Sequence, residues 1–244
     1  MSTIIGLGKS GEVILREDGL IKKNTSATEI KIQSSLSHPN IVKMRPDGLL
    51  ECCEYTLHQR MSEFIDESQI LFWIYELACA LSYLHERHIL HRDIKLDNVY
   101  ILSGHVKLGD FGYATYDSEI DEITVCGTPN FMAPEIAISI LDESVTPHYS
   151  PKSDIFALGC CLHALYAHLP PFQGRTQEET LNNIIRYVAA YSVTQSFECS
   201  PTILSLLRSM LDVDPGKRPD AKQVADTCLA SYFKIIRKDT YLLS

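Results

Sequence analysis

Two stretches of the chain gather side chains able to do polar chemistry. "ILHRDIKLDNVYIL" (89–102) holds Asp93, Lys95 and Asn98, and "KLGDFGYA" (107–114) holds Asp110. Carboxylate, amide and amine are the side-chain types that move protons, bind hard cations and steady anions. Seventeen residues separate Asp93 from Asp110, enough for two short strands to fold back and bring both carboxylates to one cleft edge. Read singly, each aspartate is equally a surface or turn residue, and Lys95 a solvated lysine. A third stretch, "IIGLGKSGEVILREDGLIKKN" (4–24), fits G-x-G-x-x-G at Gly6, Gly8 and Gly11, with Val13 two places on. Glycine lets backbone approach a phosphate with no Cβ in the way, but it also marks ordinary turns. The run alone leaves both readings open.

The elements that must position these residues change texture along the chain. Residues 3 to 23 read as strands, with Asp18-Gly19 as a hairpin signal. "SATEIKIQSSL" reads as a helix, "HPNIV" breaks it, and "DGLLECCEY" reads as another hairpin arm. From "SQILFWIYELACALSYLHERHI" onward, apolar residues recur at helical spacing, with Phe72 and Trp73 as helix core. "NVYIL" and "HVKLGDF" are strand-like exceptions around a Ser103-Gly104 turn. A small strand-rich part therefore precedes a larger helical part, and the join falls near Glu54-Tyr55-Thr56.

At 244 residues the chain can bury a large core, as one domain or as two lobes sharing a cleft. Hydrophobic residues at 45% and charged residues at 22% give a globular balance. The formal net charge of -9 argues against nucleic acid as the main partner and favours basic peptides or proteins. Eight cysteines, two of the pairs adjacent and no C-x-x-C among them, read as reduced thiols of an intracellular protein in cytoplasm or nucleus. No secretory segment and no apolar run of membrane-spanning length is visible, so no membrane partner is expected.

The order His91-Arg92-Asp93, Lys95, Asn98, then Asp110-Phe111-Gly112, then "CGTPNFMAPE" (126–135) and "SDIFALGC" (153–160) resembles the catalytic segments of protein kinases, from about residue 4 to 232. The resemblance implies an α+β, two-lobed kinase fold. The expected N-lobe is a trimmed antiparallel sheet plus one helix (about 1–53). A hinge at about 54–57, a mainly helical C-lobe (about 58–232) and a short tail (233–244) complete the expectation. It implies ATP and Mg2+ as cofactors and serine/threonine acceptors on protein substrates, and a monomer.

The same resemblance assigns roles. Asp93 would accept or orient the substrate hydroxyl proton, Lys95 would steady the transferred phosphate, and Thr128 would bridge the two. Asn98 and Asp110 would hold magnesium through hard oxygens. Gly6, Leu7, Gly8 and Gly11 become the nucleotide loop, with Val13 and Tyr100 sandwiching the base. Lys22, at the lysine place of V-A-I-K, would meet the phosphates and pair with Glu29, leaving Lys23 the exposed neighbour and Leu20 at the alanine place. Ser26-x-x-Glu29 is also a capping-box pattern, so Glu29 could instead cap its own helix. Cys53 falls at the gatekeeper position, and Glu54 to Thr56 at the hinge that hydrogen-bonds adenine. Thr124, four residues before Thr128, sits where related kinases carry an activating phosphate, which Arg92 could receive. Glu135 with Arg218 resembles a buried ion pair, Asp154 the brace of the catalytic loop, and His91 a packed spine residue. Asp97 could meet a basic substrate residue.

Tyr100, "DFGYAT" and "PPFQGRTQEETLNNIIR" resemble the polo-like group most, although Asp97 departs from that pattern and polo boxes are not expected. Gln33 stands where an apolar residue is expected, and the Lys22–Glu29 interval is unusually short. These departures keep a second reading open, a pseudokinase or nucleotide-binding scaffold with little turnover.

Overall fold

The computed structural model describes residues 2–8, 11–61, 63–119, 125–186 and 199–242. A small sheet comes first, its antiparallel strands in chain order: β1 (Thr3–Gly8), β2 (Gly11–Leu15), β3 (Leu20–Lys22) and β4 (Leu50–Glu51). The β2–β3 return turns on Gly19, whose φ of 77° lies in the left-handed region that glycine enters without a Cβ penalty. One helix, α1 (Ala27–Gln33), follows; Ser26 caps it by accepting the Glu29 N–H at 3.1 Å. Ile21, Val42, Met44 and Leu50 form the small core of this part, with Val13, Ile30, Cys53 and Tyr100 packed around it.

The chain then enters β5 (Tyr55–Thr56) and α2 (Leu57–Arg60), the start of the larger part. There follow α3 (Glu67–His85), β6 (Ile89–Leu90), β7 (Val99–Leu102), β8 (His105–Leu108), β9 (Thr115–Tyr116), α4 (Pro134–Leu141), α5 (Pro151–Ala167), α6 (Gln177–Ile185), α7 (Pro201–Met210) and α8 (Ala221–Leu242). Helix α5 is buried on every side from Ser153 to Leu165, as expected for a helix that is apolar nearly all round, and it forms the axis of this part. Strands β5, β7 and β8 form one antiparallel sheet, and β6 pairs with β9. The β7–β8 turn places Ser103 and Gly104 both at positive φ, 53° and 82°, the geometry of a tight two-residue hairpin.

Backbone stitches hold the two parts together. Val42 N–H donates to Leu108 O at 2.8 Å, and Leu108 N–H to Asn40 O at 2.9 Å. The Asn40 side chain donates to Val106 O at 2.9 Å. The residues that break α1 therefore anchor the small part onto β8, the strand that leads to Asp110. No helix among the described residues is long and apolar enough to cross a membrane. All eight cysteines are free thiols.

Candidate active site

The loop between β6 and β7 is held from below by Asp154, in the first turn of α5. Its buried carboxylate accepts from His91 N–H at 3.1 Å and Arg92 N–H at 3.0 Å, and meets His85 Nε2 at 3.0 Å. Burial works to raise the Asp154 carboxyl; the His85 hydrogen bond and charge, with the backbone donors, outweigh it and hold the group below the ordinary carboxylate value. This brace keeps Arg92 at φ 64°, a left-handed conformation that costs a non-glycine residue energy.

The loop presents a closed polar ring. Lys95 Nζ lies 2.6 Å from Asp93 Oδ2 and donates to Thr128 Oγ1 at 2.8 Å. Thr128 in turn donates to Asp93 Oδ1 at 2.8 Å. Asn98 Nδ2 donates to the Asp93 carbonyl at 2.9 Å and to its Oδ2 at 3.0 Å. With its N–H groups turned to Asp93, Asn98 has its carbonyl oxygen left to offer, the kind of atom a hard cation takes. Among the described residues no cluster of three or more His, Cys, Asp or Glu could hold a metal ion alone. A magnesium site built on Asn98 and Asp110 would thus need substrate phosphate and water oxygens to complete it.

Asp110 stands beyond β8 at φ 58°. Behind it, His91 Nε2 meets Gly109 O at 3.1 Å, and Phe111 packs edge-on against the His91 ring at 4.8 Å. Asp110 Oδ1 lies 2.9 Å from Lys23 Nζ, which also reaches Glu29 Oε1 at 2.7 Å. Burial works to lower the Lys23 ammonium and to raise the Asp110 carboxyl; in both the partner charge prevails, so Lys23 titrates above and Asp110 below its ordinary value.

This geometry corrects the choice of lysine. Lys22 is exposed, while Lys23 meets Glu29 and Asp110. The reason is strand phase: Ile21 is buried in the small core, so Lys22 points away, and Lys23, just past the end of β3, returns to the inner side. The alanine place of the motif accordingly falls on Ile21, not Leu20. Of the two candidate roles Glu29 takes the ion pair: Ser26 caps its N–H, but its carboxylate goes to Lys23 and not back to the Ser26 backbone. Gln33 is buried and donates to Val42 O at 2.8 Å, tying α1 to the segment stitched onto β8.

Between the two parts lies a cleft lined by Val13, Ile21, Leu50 and Tyr100 together with Lys23 and Asp110. A Cβ at Gly109 would come within 2.8 Å of the Tyr100 ring, so glycine lets that ring keep its place beside the cleft. Gly6 pairs opposite Val13, Leu7 opposite Glu12 and Gly8 opposite Gly11, so the glycine run is a hairpin and at the same time carries Val13 over the cleft.

The expected hinge is corrected as well. Glu54 donates its N–H to Ile101 O at 2.9 Å. Thr56 donates its N–H to Gln59 Oε1 at 2.8 Å, capping α2. Neither lines the cleft; Leu50, Glu51 and Cys53 do. Leu50, not Cys53, pairs with Ile21. Burial pushes the Cys53 thiol up to about 12.

Arg92 donates from Nε to Tyr113 O at 2.7 Å and lies 5.2 Å from the Tyr149 ring; its buried Nη1 has no partner among the described residues. Thr124 lies outside the described residues. Tyr149 Oη fastens the segment by accepting from Cys126 N–H at 2.8 Å and donating to Cys126 O at 2.7 Å. Arg218 forms a two-pronged pair with Glu135 at 2.8 and 2.7 Å and donates to the carbonyls of Asp212 and Lys152.

The comparisons with known proteins agree with this arrangement. The family model described as "Protein kinase domain" matches residues 11–229. The chain is 35% identical to the serine/threonine-protein kinase polo of Drosophila melanogaster over 83% of its own length and 36% of the relative's. It is 32% identical to the serine/threonine-protein kinase Nek4 of Mus musculus over 91% of its length and 31% of the relative's. The cell cycle serine/threonine-protein kinase CDC5/MSD2 of Saccharomyces cerevisiae is 33% identical over 82% of the chain and 29% of the relative. The chain thus spans about a third of the length of the curated relatives it matches. With a family model covering most of its length and a braced loop, an ion-paired helix and a cleft between two lobes, this chain belongs to the protein kinase family.

Proposed function

We propose that the chain transfers the ATP γ-phosphate to serine or threonine hydroxyls of proteins. The observations that carry this reading are the ring of Asp93, Lys95 and Thr128 and the Lys23–Glu29–Asp110 set, of which Lys23 and Asp110 line the cleft. Phosphoryl transfer needs positioning and charge stabilisation more than covalent help. Asp93 orients the acceptor hydroxyl and takes its proton. Lys95 steadies the transferred phosphate, and Thr128 holds both in register. Lys23 meets the nucleotide phosphates in place of Lys22. Asn98 and Asp110 supply oxygens to Mg2+, which when bound offsets charge on the phosphates. The base lies between Val13 and Tyr100, with the backbone of Glu51 to Cys53 along its edge. Gly6, Gly8 and Gly11 keep the roof free of side chains. On this reading the lobes meet at about residues 51–53, ahead of the expected 54–57.

Phosphate on Thr124 would pair with Arg92, whose unpartnered Nη1 supports that reading, and would raise activity. Exposed Asp97 and the acidic balance favour basic-flanked acceptor sites. The free thiols fit a reducing, intracellular compartment. The Lys23–Glu29 pair forms despite the trimmed small lobe, which supports turnover over a scaffold.

The test is transfer of labelled phosphate from ATP with magnesium onto a basic protein, beside Asp93→Asn. Signal that vanishes in the variant supports the reading. Nucleotide binding with no transfer, even with an acidic residue at Thr124, would leave a scaffold.

A further inference from the structure

One ion pair at the edge of the cleft has no part in the transfer chemistry. Lys107 lies on β8, opposite Tyr100 on β7 and three residues before Asp110. Its Nζ reaches Glu51 Oε1 at 2.9 Å, and the two side chains are only 15% and 24% exposed. Glu51 ends β4 and lines the cleft. Its Oε1 also accepts from Lys43 N–H at 2.7 Å, while its own N–H donates to Lys43 O at 3.0 Å. The pair therefore runs from the hairpin of the larger part to the last strand of the smaller one. It does so where the chain leaves the small sheet and turns along the cleft.

We infer that Lys107 is a positioning residue for the nucleotide. By holding the Glu51 side chain against β8, it fixes the Glu51–Cys53 backbone relative to the Tyr100 floor. The spacing between that rim and that floor decides how well a flat base is gripped. A single ion pair at the edge of the fold, still in reach of solvent, adds little stability. Its effect here is geometric, because hydrogen bonds from a backbone rim weaken steeply when angle or distance drifts. The inference rests on the proposed reading of the cleft as the nucleotide site.

The experiment is calorimetric titration of the whole chain with a non-hydrolysable ATP analogue and Mg2+, together with thermal unfolding. Lys107→Met should weaken binding about tenfold, the range between an exposed and a buried pair. Lys107→Arg, which keeps the charge, should stay within about twofold of wild type by the same reasoning. Glu51→Gln retains an acceptor for Lys43 N–H but loses the ion pair. It should weaken binding as Lys107→Met does, and combining the two changes should add nothing further. If Lys107→Met does not fold, Glu51→Gln reads the same coupling. Wild-type affinity in both single variants, or an arginine variant as weak as the methionine one, overturns the inference while leaving the cleft reading intact. No binding of the analogue by the wild type overturns the cleft reading and the inference with it.

Discussion

Exchanging Lys23 for methionine should cripple transfer, and the same change at Lys22 should leave it untouched. Lys23 Nζ sits 2.7 Å from Glu29 and 2.9 Å from Asp110, and the Glu29 side chain is only 5% exposed. Methionine fills much of the same volume but leaves that carboxylate without a cation. Breaking a buried pair costs about 3–5 kcal/mol, and the 19% exposure of Lys23 places this case near the low end. For a chain of this size about 3 kcal/mol lowers Tm by roughly 6–12 °C. Helix α1 has seven residues, too few to persist without tertiary anchors, so it is the element that should loosen. On the proposed role of Lys23 at the nucleotide phosphates, loss of its charge should cost about 10²–10³ in rate, the usual range for one electrostatic contact of this kind. Lys22 is exposed, and its replacement should change stability by less than about 0.5 kcal/mol. The assay is labelled-phosphate transfer beside thermal unfolding for both variants. An inactive Lys22→Met with an active Lys23→Met would refute the strand-phase reasoning, since no other feature separates the two neighbours.

Gly109→Ala would set a Cβ 2.8 Å from the Tyr100 ring and 3.0 Å from Val42 Cγ2. Overpacking of this kind costs about 1–3 kcal/mol, and the ring should be lifted into the cleft. Denaturant unfolding and nucleotide titration should both show a loss, and a variant with unchanged nucleotide affinity would count against Tyr100 as the floor. Acid should unfold the protein partly through Asp154. Its folded value is depressed, so its contribution is complete above the ordinary carboxylate range near pH 4 and is lost as pH falls through the folded value. Asp154→Asn should start about 1–3 kcal/mol less stable at pH 7, with backbone donors left poorly matched, and then lose less on acidification. Equal acid slopes for the two proteins would exclude Asp154 as a contributor.

Much of the chemistry was legible because it is local in sequence. Asp93, Lys95 and Asn98 fall on one short loop, and any fold that keeps that loop compact keeps them together. Turns at Asp18-Gly19 and Ser103-Gly104 and the cap at Ser26 depend on neighbouring residues only, so their residue types announce them. The glycine run was ambiguous by itself and became informative only beside the later motifs.

What tertiary structure alone decided is phase, register and long-range partnership. Strand alternation says that Lys22 and Lys23 face opposite ways, but not which way is in. That choice is made by Ile21 packing into the small core with Val42 and Leu50. Likewise an extended run such as "LLECCEYT" looks the same when slid by a few residues. Pairing of Leu50 with Ile21 and of Tyr55 with Ile101 is what puts Glu51 and Cys53, rather than Glu54 and Thr56, on the cleft. Glu51 beside Lys107 is a contact between distant segments with no trace in local pattern, and Thr128 beside Lys95 could be expected only through the family resemblance. The amino-acid sequence by itself thus determined which reactive groups exist and how the nearest of them cluster. The packing of two lobes determined which of several equivalent candidates face one another, because a period-two pattern carries direction but no origin.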